Sequence, residues 1–183
     1  MKIPSIETAS QSEIKTFQEQ KLQELLRYLK QHSPYYQRVF AKEEVVINNI
    51  QTLEDLSRLP VTTKDLLQEY NMDFLCVPKE EIIDFVTTSG TLGDPVTFAL
   101  AEADLDRLAY NEAISFACSG VKKEDVLQLM TTIDRRFMAG MAYYLGARKL
   151  GAGIIRVGSG VPELQWDTIQ KFRPSYLICV PSF

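Results

Sequence analysis

The chain has 183 residues, of which 45% are hydrophobic and 24% charged, and its net charge is −4 at pH 7. This length fits one ordinary domain or a part of a larger one, and the composition is that of a soluble globular protein with enough apolar residues for a core. The acidic balance and the dispersed Lys and Arg argue against nucleic acid as a partner, and no apolar run reaches the length of a membrane span.

The cysteines and the single histidine restrict the chemistry further. Cys76, Cys118 and Cys179 are far apart and each lies in apolar sequence, which predicts buried thiols in a reducing cytoplasm. One histidine, His32, gives little support to a His-containing metal cluster or to a Ser-His-Asp triad. The N-terminus lacks the apolar stretch of a signal peptide. We therefore expect a cytoplasmic protein that has no metal site of its own.

The first part of the chain is predicted to be helical. Residues 1–10 are polar and are expected to be a flexible N-terminus. From Ser12 to Gln31 apolar residues recur at helical spacing, which predicts an amphipathic helix whose apolar stripe packs on its own domain or binds a partner. A short helix over 51–60 follows, and the predicted helical segment as a whole spans residues 11–80.

Residues 82–100 predict a β-hairpin whose loop has a distinctive chemistry. The apolar runs 82–86 and 96–100 both indicate strands, and the loop 87–95 between them reads Thr-Thr-Ser-Gly-Thr-Leu-Gly-Asp-Pro. Its glycines free the backbone to approach a ligand, and its hydroxyl and N–H groups could surround phosphate oxygens. The alternative is a flexible hairpin turn, since turns favour the same residue types.

Beyond the hairpin, strands and helices alternate. The predicted elements are a helix from Glu102 to Cys118, strands over 126–130, 154–157 and 176–180, and helices over 137–150 and 163–172. This order predicts a parallel βαβαβ sheet over 126–183, within an α/β subdomain that spans 81–183. The last strand leaves an uncovered sheet edge, so we expect the front part of a larger domain, and a homodimer that pairs at this edge is a further expectation.

Two common nucleotide-binding loops are excluded by spacing. A P-loop requires Gly-Lys-Ser/Thr opening a helix, whereas here Gly93 is followed by Asp94-Pro95 and a strand. The glycines between residues 151 and 160 do not form the Gly-x-Gly-x-x-Gly pattern of a dinucleotide fold.

The loop instead resembles the phosphate loop of the adenylate-forming enzymes, the AMP-forming acyl-CoA ligase superfamily. That loop usually reads Thr/Ser-Ser-Gly-Thr-Thr-Gly-x-Pro, and here it stands as Thr88 to Pro95. The stretches LLRYLKQHSPYYQRVF, LEDLSRLPVTTKDLLQEY, YYLGARKLGAGIIRVGSG and RPSYLICVPSF are similar, in this order, to segments of the phenylacetate–CoA ligase branch. That branch also holds a synthetase that adenylylates a deazaflavin coenzyme. The resemblance implies an incomplete part of the large N-terminal α/β domain of such an enzyme.

The resemblance also implies a reaction. In this family a carboxylate, or a related group of a coenzyme substrate, attacks the α-phosphate of ATP and pyrophosphate leaves, and coenzyme A can then take the acyl group as a thioester. The implied cofactors are ATP with Mg²⁺, and coenzyme A. The residues that the resemblance assigns to pyrophosphate are Thr88, Ser89, Gly90, Thr91 and Gly93. Their donors would stabilise the charge of the leaving group.

The segment Thr131 to Met138 falls where the branch has substrate-pocket residues. Phe137 matches that pattern, whereas Arg135 and Arg136 are charged. The two arginines either pair with an anionic group of a larger substrate or belong to a solvated loop before a helix. We therefore include Arg135, Arg136 and Phe137 as candidate substrate-binding residues.

The loop departs from the family pattern at two positions, and the sequence ends before several of the family's functional segments. Both observations weaken the implied activity. Leu92 replaces a hydroxyl residue, and Asp94 places a negative charge where Lys is frequent. In this family the adenine contacts, the acidic Mg²⁺ ligand and the catalytic Lys follow the point where this sequence ends, so no catalytic residue is assigned. We expect these residues alone to be inactive. The alternative is a non-catalytic domain, derived from the family, for self-association or partner binding.

Overall fold

The computed structural model describes residues 4–88 and 95–180, and these divide into two units. A helical unit comprises residues 4–81 with 95–97, and an α/β unit comprises 82–88 with 98–180. The predicted flexible N-terminus and phosphate loop lie partly outside the described residues.

The helical unit is built on a long first helix. Its α-helices are α1 (Gln11–His32), α2 (Pro34–Lys42) and α3 (Lys64–Glu69). Ser10 begins α1 with a capping box, in which its N–H donates to the Glu13 carboxylate at 2.9 Å. Ser33 ends α1 and caps α2, whose first residue is Pro34. The helix predicted over 12–31 is thus confirmed, whereas the one predicted over 51–60 is a short 3₁₀ helix, Glu54–Arg58.

The core of the helical unit forms where α1 meets α2. It contains the buried residues Leu22, Leu26, Phe40 and Ile50. Part of the apolar stripe of α1 therefore packs within its own unit, which is the first of the two uses that the sequence left open, whereas Phe17 and Leu25 of the same helix are exposed.

The α/β unit contains the hairpin and a parallel sheet. Its elements are β1 (Asp84–Thr87), β2 (Thr97–Leu100), α4 (Glu102–Cys118), β3 (Val126–Leu129), α5 (Met138–Leu150), β4 (Gly153–Arg156), α6 (Pro162–Phe172) and β5 (Tyr176–Ile178). The sheet order is β4-β3-β5, with both pairings parallel. The predicted α/β class and βαβαβ order are confirmed.

The central strand β3 is covered on both faces. Leu127 packs with Ala147 of α5 and with Phe116 of α4, whereas the side chain of Gln128 bonds to Gln165 of α6. Because successive strand residues point to opposite faces, α5 and α6 lie on opposite sides of the sheet.

Helices α4 and α5 approach closely at a glycine. A Cβ placed at Gly146 would lie 2.3 Å from the Cβ of Glu112, so only glycine fits there without a shift. Burial at this contact raises the pKa of Glu112.

The expectation of three buried thiols is wrong. Cys118 and Cys179 are exposed, and only Cys76 is partly buried, where burial raises the pKa of its thiol. Apolar neighbours in sequence do not bury a residue, because the side chains of a helix or strand point in different directions.

Candidate functional site

The candidate site begins where the first hairpin strand ends. The N–H of Ile83 donates to the carbonyl of Leu100 at 2.9 Å, so the start of β1 lies against the end of β2, as the predicted hairpin requires. Thr88, the first residue assigned to pyrophosphate, follows β1 and is exposed. The others, Ser89, Gly90, Thr91 and Gly93, lie outside the described residues with the two departures Leu92 and Asp94.

A backbone hydrogen bond joins this end of β1 to the second predicted segment. The N–H of Thr87 donates to the carbonyl of Arg136 at 3.0 Å. Arg136 belongs to the connection between β3 and α5, far from Thr87 in sequence. The structure therefore brings the first residues of the predicted phosphate loop next to the candidate substrate-binding residues.

The connection contains a tight turn from Asp134 to Phe137. The N–H of Phe137 donates to the carbonyl of Asp134 at 3.2 Å, and the central residues Arg135 and Arg136 have φ angles of 59° and 61°. Positive φ at both central positions is typical of a type I′ turn, which favours Gly and Asn. A residue with a Cβ costs about 1–2 kcal/mol in this conformation. Sequence reasoning missed the turn because neither central residue signals it.

The charged groups of this turn are accessible. Arg135, Arg136 and Phe137 are all exposed, and neither arginine forms an ion pair within residues 4–88 and 95–180. The carboxylate of Asp134 instead accepts a hydrogen bond from the hydroxyl of Thr132. Within the described residues the two guanidinium groups therefore have no carboxylate partner.

The strand end beneath the turn is tightly packed. Thr131 is buried, and its hydroxyl finds no hydrogen-bond partner among the described residues. A Cβ placed at Gly140, in the first turns of α5, would lie 1.8 Å from the carbonyl oxygen of Thr132. Only glycine lets α5 approach the strand end this closely.

A second polar network fixes the loop that follows β4. The side-chain amide of Gln165 donates to the carbonyl of Gly158 at 2.7 Å, and the amide of Gln128 donates to the Gln165 oxygen at 2.8 Å. Gln128 is fully buried, and its own amide oxygen has no partner among the described residues. Both loops lie at the carboxyl end of the parallel sheet, where open α/β sheets bind ligands. Sequence reasoning missed this network, although a Gln within the apolar run Val-Leu-Gln-Leu-Met was a usable signal.

Two classes of site find no support in the part of the chain that the structure describes. No three His, Cys, Asp or Glu side chains gather there in a way that could hold a metal ion. Nor does any helix there combine the length and apolar character of a membrane span.

Comparison with known proteins identifies relatives along the whole chain. Phenylacetate-coenzyme A ligase of Thermus thermophilus is 32% identical over 181 residues, which cover 98% of this chain and 40% of that enzyme. The Escherichia coli enzyme of the same name is 32% identical over 183 residues, or 100% of this chain and 42% of its own length. The chain thus spans about two fifths of these relatives. No family model matches the sequence.

A solved structure agrees with these relatives. The crystal structure of 2-hydroxyisobutyryl-CoA ligase, in complex with 2-HIB-AMP and CoA in the thioesterification state, superposes with a TM-score of 0.86 and 26% identity. The match covers 96% of this chain and 39% of that one. The fold described above is therefore that of the N-terminal part of an adenylate-forming CoA ligase.

Proposed function

Since the chain is a homologue of the N-terminal part of the phenylacetate–CoA ligases, which are adenylate-forming enzymes, we propose that it serves the ATP-dependent activation of a carboxylate. The observation that carries the proposal is the hydrogen bond from Thr87 to Arg136, which joins the two segments that sequence reasoning assigned to phosphate and to substrate. A reaction between ATP and an acid requires the two binding sites to be neighbours.

The proposed reaction has two steps. A carboxylate oxygen of the acid, or a related nucleophile of a coenzyme substrate, attacks the α-phosphorus of ATP, and the bond to the bridging oxygen of pyrophosphate breaks. The sulfur of coenzyme A then attacks the acyl carbon and AMP leaves. A related ligase was crystallised with an acyl adenylate and CoA together, which supports this order of events in the family.

The phosphate loop has the role of stabilising the leaving pyrophosphate. We assign this role to Thr88, Ser89, Gly90, Thr91 and Gly93, whose hydroxyl and N–H groups are donors suited to phosphate oxygens. Mg²⁺ would accompany ATP, since it is commonly bound through substrate phosphates and few protein carboxylates. No group of metal ligands occurs in residues 4–88 and 95–180, so we assign it no protein ligand.

The turn residues have the role of contacting the small-molecule acid or coenzyme. Phe137 is 37% exposed directly before α5, where its ring can contact an apolar part of the substrate. Arg135 and Arg136 add positive charge beside it. We place this activity in the cytoplasm, because the three cysteines are free thiols.

Titration with ATP–Mg²⁺ tests the proposal on the chain itself. Calorimetry of the wild type should detect binding, and Thr88→Val should weaken it about tenfold, the loss expected for one charge-assisted hydrogen bond. Thr16→Val, which removes an exposed hydroxyl on α1, is the matched control and should bind ATP as the wild type does. Equal affinities of all three proteins would contradict the assigned role of Thr88.

The catalytic competence of these 183 residues is a separate question. Because they span about 40% of the length of the ligase relatives, we expect no detectable ATP–pyrophosphate exchange from them alone. The exchange of radiolabelled pyrophosphate into ATP, in the presence of a panel of acids, measures this directly. Robust exchange would show that the catalytic groups are already present.

One observation favours a second candidate function, the binding of another polypeptide or of a second copy. Apolar side chains are exposed on α6 and after it; Trp166 and Phe172 are each 61% exposed, and Leu177 in β5 is 50% exposed. Within the described residues the outer edge of β5 has no strand beside it. Sedimentation velocity should show a concentration-dependent dimer that Leu177→Asp abolishes, and a monomer at all concentrations would exclude the self-association.

A further inference from the structure

The turn from Asp134 to Phe137 carries two arginines where the backbone disfavours them. Arg135 and Arg136 both have positive φ, and they occupy the two central positions. Strain of this kind persists only where the surroundings hold it, and it collects at ligand-binding sites. Glycine or asparagine would form the same turn with less strain.

Hydrogen bonds on several sides hold the turn. The N–H of Phe137 bonds to Asp134 across the turn, and the N–H of Thr87 bonds to the carbonyl of Arg136. The Asp134 carboxylate accepts a hydrogen bond from Thr132 and forms no ion pair with either arginine. The turn thus presents two positive charges that the described residues do not neutralise.

The position of the turn adds to this positive charge. Helix α5 begins at Met138, directly after the turn, and the N-terminus of a 13-residue helix favours negative charge. Guanidinium groups bind the oxygens of phosphate and carboxylate in a planar, paired geometry. The binding partner that fits two arginines at a helix start is a multiply charged oxyanion.

We propose that Arg135 and Arg136 form an oxyanion-binding site beside the start of the predicted phosphate loop. The oxyanion is either a phosphate group of the nucleotide or a second acidic group on the acid that is activated. The preference for an oxyanion follows from the turn itself. Its identification as a nucleotide phosphate or as a second acidic group of the acid rests on the proposed function. If it is the nucleotide, the arginines supply positive charge that the loop sequence lacks, since Asp94 stands where Lys is frequent.

Glycine substitutions provide a test in which the fold is retained. Arg135→Gly and Arg136→Gly each remove a charge and relieve strain, because glycine adopts positive φ freely. The control is Arg173→Gly at the end of α6, since Arg173 is also an exposed arginine at positive φ in the same unit. Thermal unfolding should show that all three variants are at least as stable as the wild type.

Calorimetric titration of the full chain at constant salt then measures binding of inorganic pyrophosphate, of the dicarboxylate succinate and of the monocarboxylate phenylacetate. We expect pyrophosphate or succinate to bind about tenfold more weakly to Arg135→Gly and to Arg136→Gly, with Arg173→Gly within twofold of the wild type. Arginine-dependent binding of pyrophosphate identifies the nucleotide phosphates as the source, and arginine-dependent binding of succinate identifies a second acidic group.

The proposal is overturned if neither pyrophosphate nor succinate binds the wild type, if the turn variants bind both anions as the wild type does, or if Arg173→Gly weakens binding equally. This failure is distinguishable from that of the proposed function. Loss of ATP–Mg²⁺ binding in Thr88→Val with unchanged anion binding in the arginine variants contradicts only the oxyanion site. Arginine-dependent anion binding by a chain that does not bind ATP–Mg²⁺ contradicts only the proposed function.

Discussion

The two units of the molecule differ in how completely they follow local structural rules. In the helical unit the three α-helices begin at the capping side chains of Ser10, Ser33 and Thr63, and Glu44 is the one described non-glycine residue with a positive φ. The α/β unit contains four such residues in its described part, namely Arg135, Arg136, Val161 and Arg173. Among the described residues, the two buried side-chain polar atoms without a partner, on Gln128 and Thr131, also belong to this unit.

Most of these exceptions lie near the carboxyl end of the sheet, whereas Arg173 lies between α6 and the start of β5. Thr131 and the two arginines follow β3, and Val161 lies in the loop after β4 that Gln165 fixes. Proteins retain unfavourable local geometry mainly where function requires it. The unfavourable geometry of the α/β unit thus coincides with the sheet end at which we propose binding, and the helical unit lacks such a cluster among its described residues.

The largest effect is expected at Gly140. Gly140→Ala places a Cβ against the Thr132 backbone carbonyl, which cannot move aside cheaply, so we expect a loss of about 3 kcal/mol in unfolding free energy. Urea denaturation measures the loss. Thr16→Ala on the exposed face of α1 is the control and should change stability by less than about 0.5 kcal/mol. A Gly140→Ala variant as stable as the wild type would contradict the close packing of α5.

The next effect concerns the Gln128–Gln165 network. Gln165→Leu removes the side-chain acceptor of the buried Gln128 amide, which keeps only the Gln165 backbone carbonyl at 3.2 Å, and also removes the donor to the Gly158 carbonyl, so it should cost about 2 kcal/mol. The double variant Gln128→Leu, Gln165→Leu removes both side-chain amides and should recover the part of that loss that comes from their mutual hydrogen bond, while the carbonyls of Gly158 and Gly160 stay without the Gln165 donor. A double-mutant cycle in urea measures the coupling, and additive losses would show that the two side chains do not interact.

These features also show how far the sequence alone could predict the structure. Helix α1, the hairpin and the βαβαβ order were predictable, because hydrophobic period and chain order determine them directly. The turn from Asp134 to Phe137 was not, because it lacks the Gly or Asn that marks such turns. The exposure of Cys118 and Cys179 was not predictable either, because tertiary packing decides which face of a helix or strand is turned toward solvent.

A smaller effect with the opposite sign is expected at Thr131. Thr131→Val keeps the shape of the side chain and removes a buried hydroxyl without a partner, so it should raise stability by about 1 kcal/mol. The control is Thr168→Val, since the equally buried Thr168 hydroxyl donates to the Leu164 carbonyl at 2.7 Å and its loss should not stabilise. If both variants change the melting temperature by similar amounts, the Thr131 hydroxyl is not a buried group without a hydrogen-bond partner.

The smallest effect is a pH dependence in the helical unit. The N–H groups of Gln51 and Thr52 donate to the Asp55 carboxylate and hold its pKa well below the usual value of 3.8. Because the pKa of Asp55 is lower in the folded state than in the unfolded state, the ionised carboxylate stabilises the fold above pH 3.8. This stabilisation is lost as the pH falls below 3.8. Asp55→Asn should flatten the fall in melting temperature between about pH 4 and pH 2. An unchanged slope would show that Asp55 does not contribute.

The most direct test of the central claim, that the sheet end of the α/β unit is the binding region, is an amide NMR titration of the whole chain with ATP–Mg²⁺. The signals of Thr87, Thr88, Arg136 and Phe137 should shift together along one binding curve, while those of α1 stay unchanged. Shifts confined to the helical unit, or movement of Thr88 without Arg136, would contradict it.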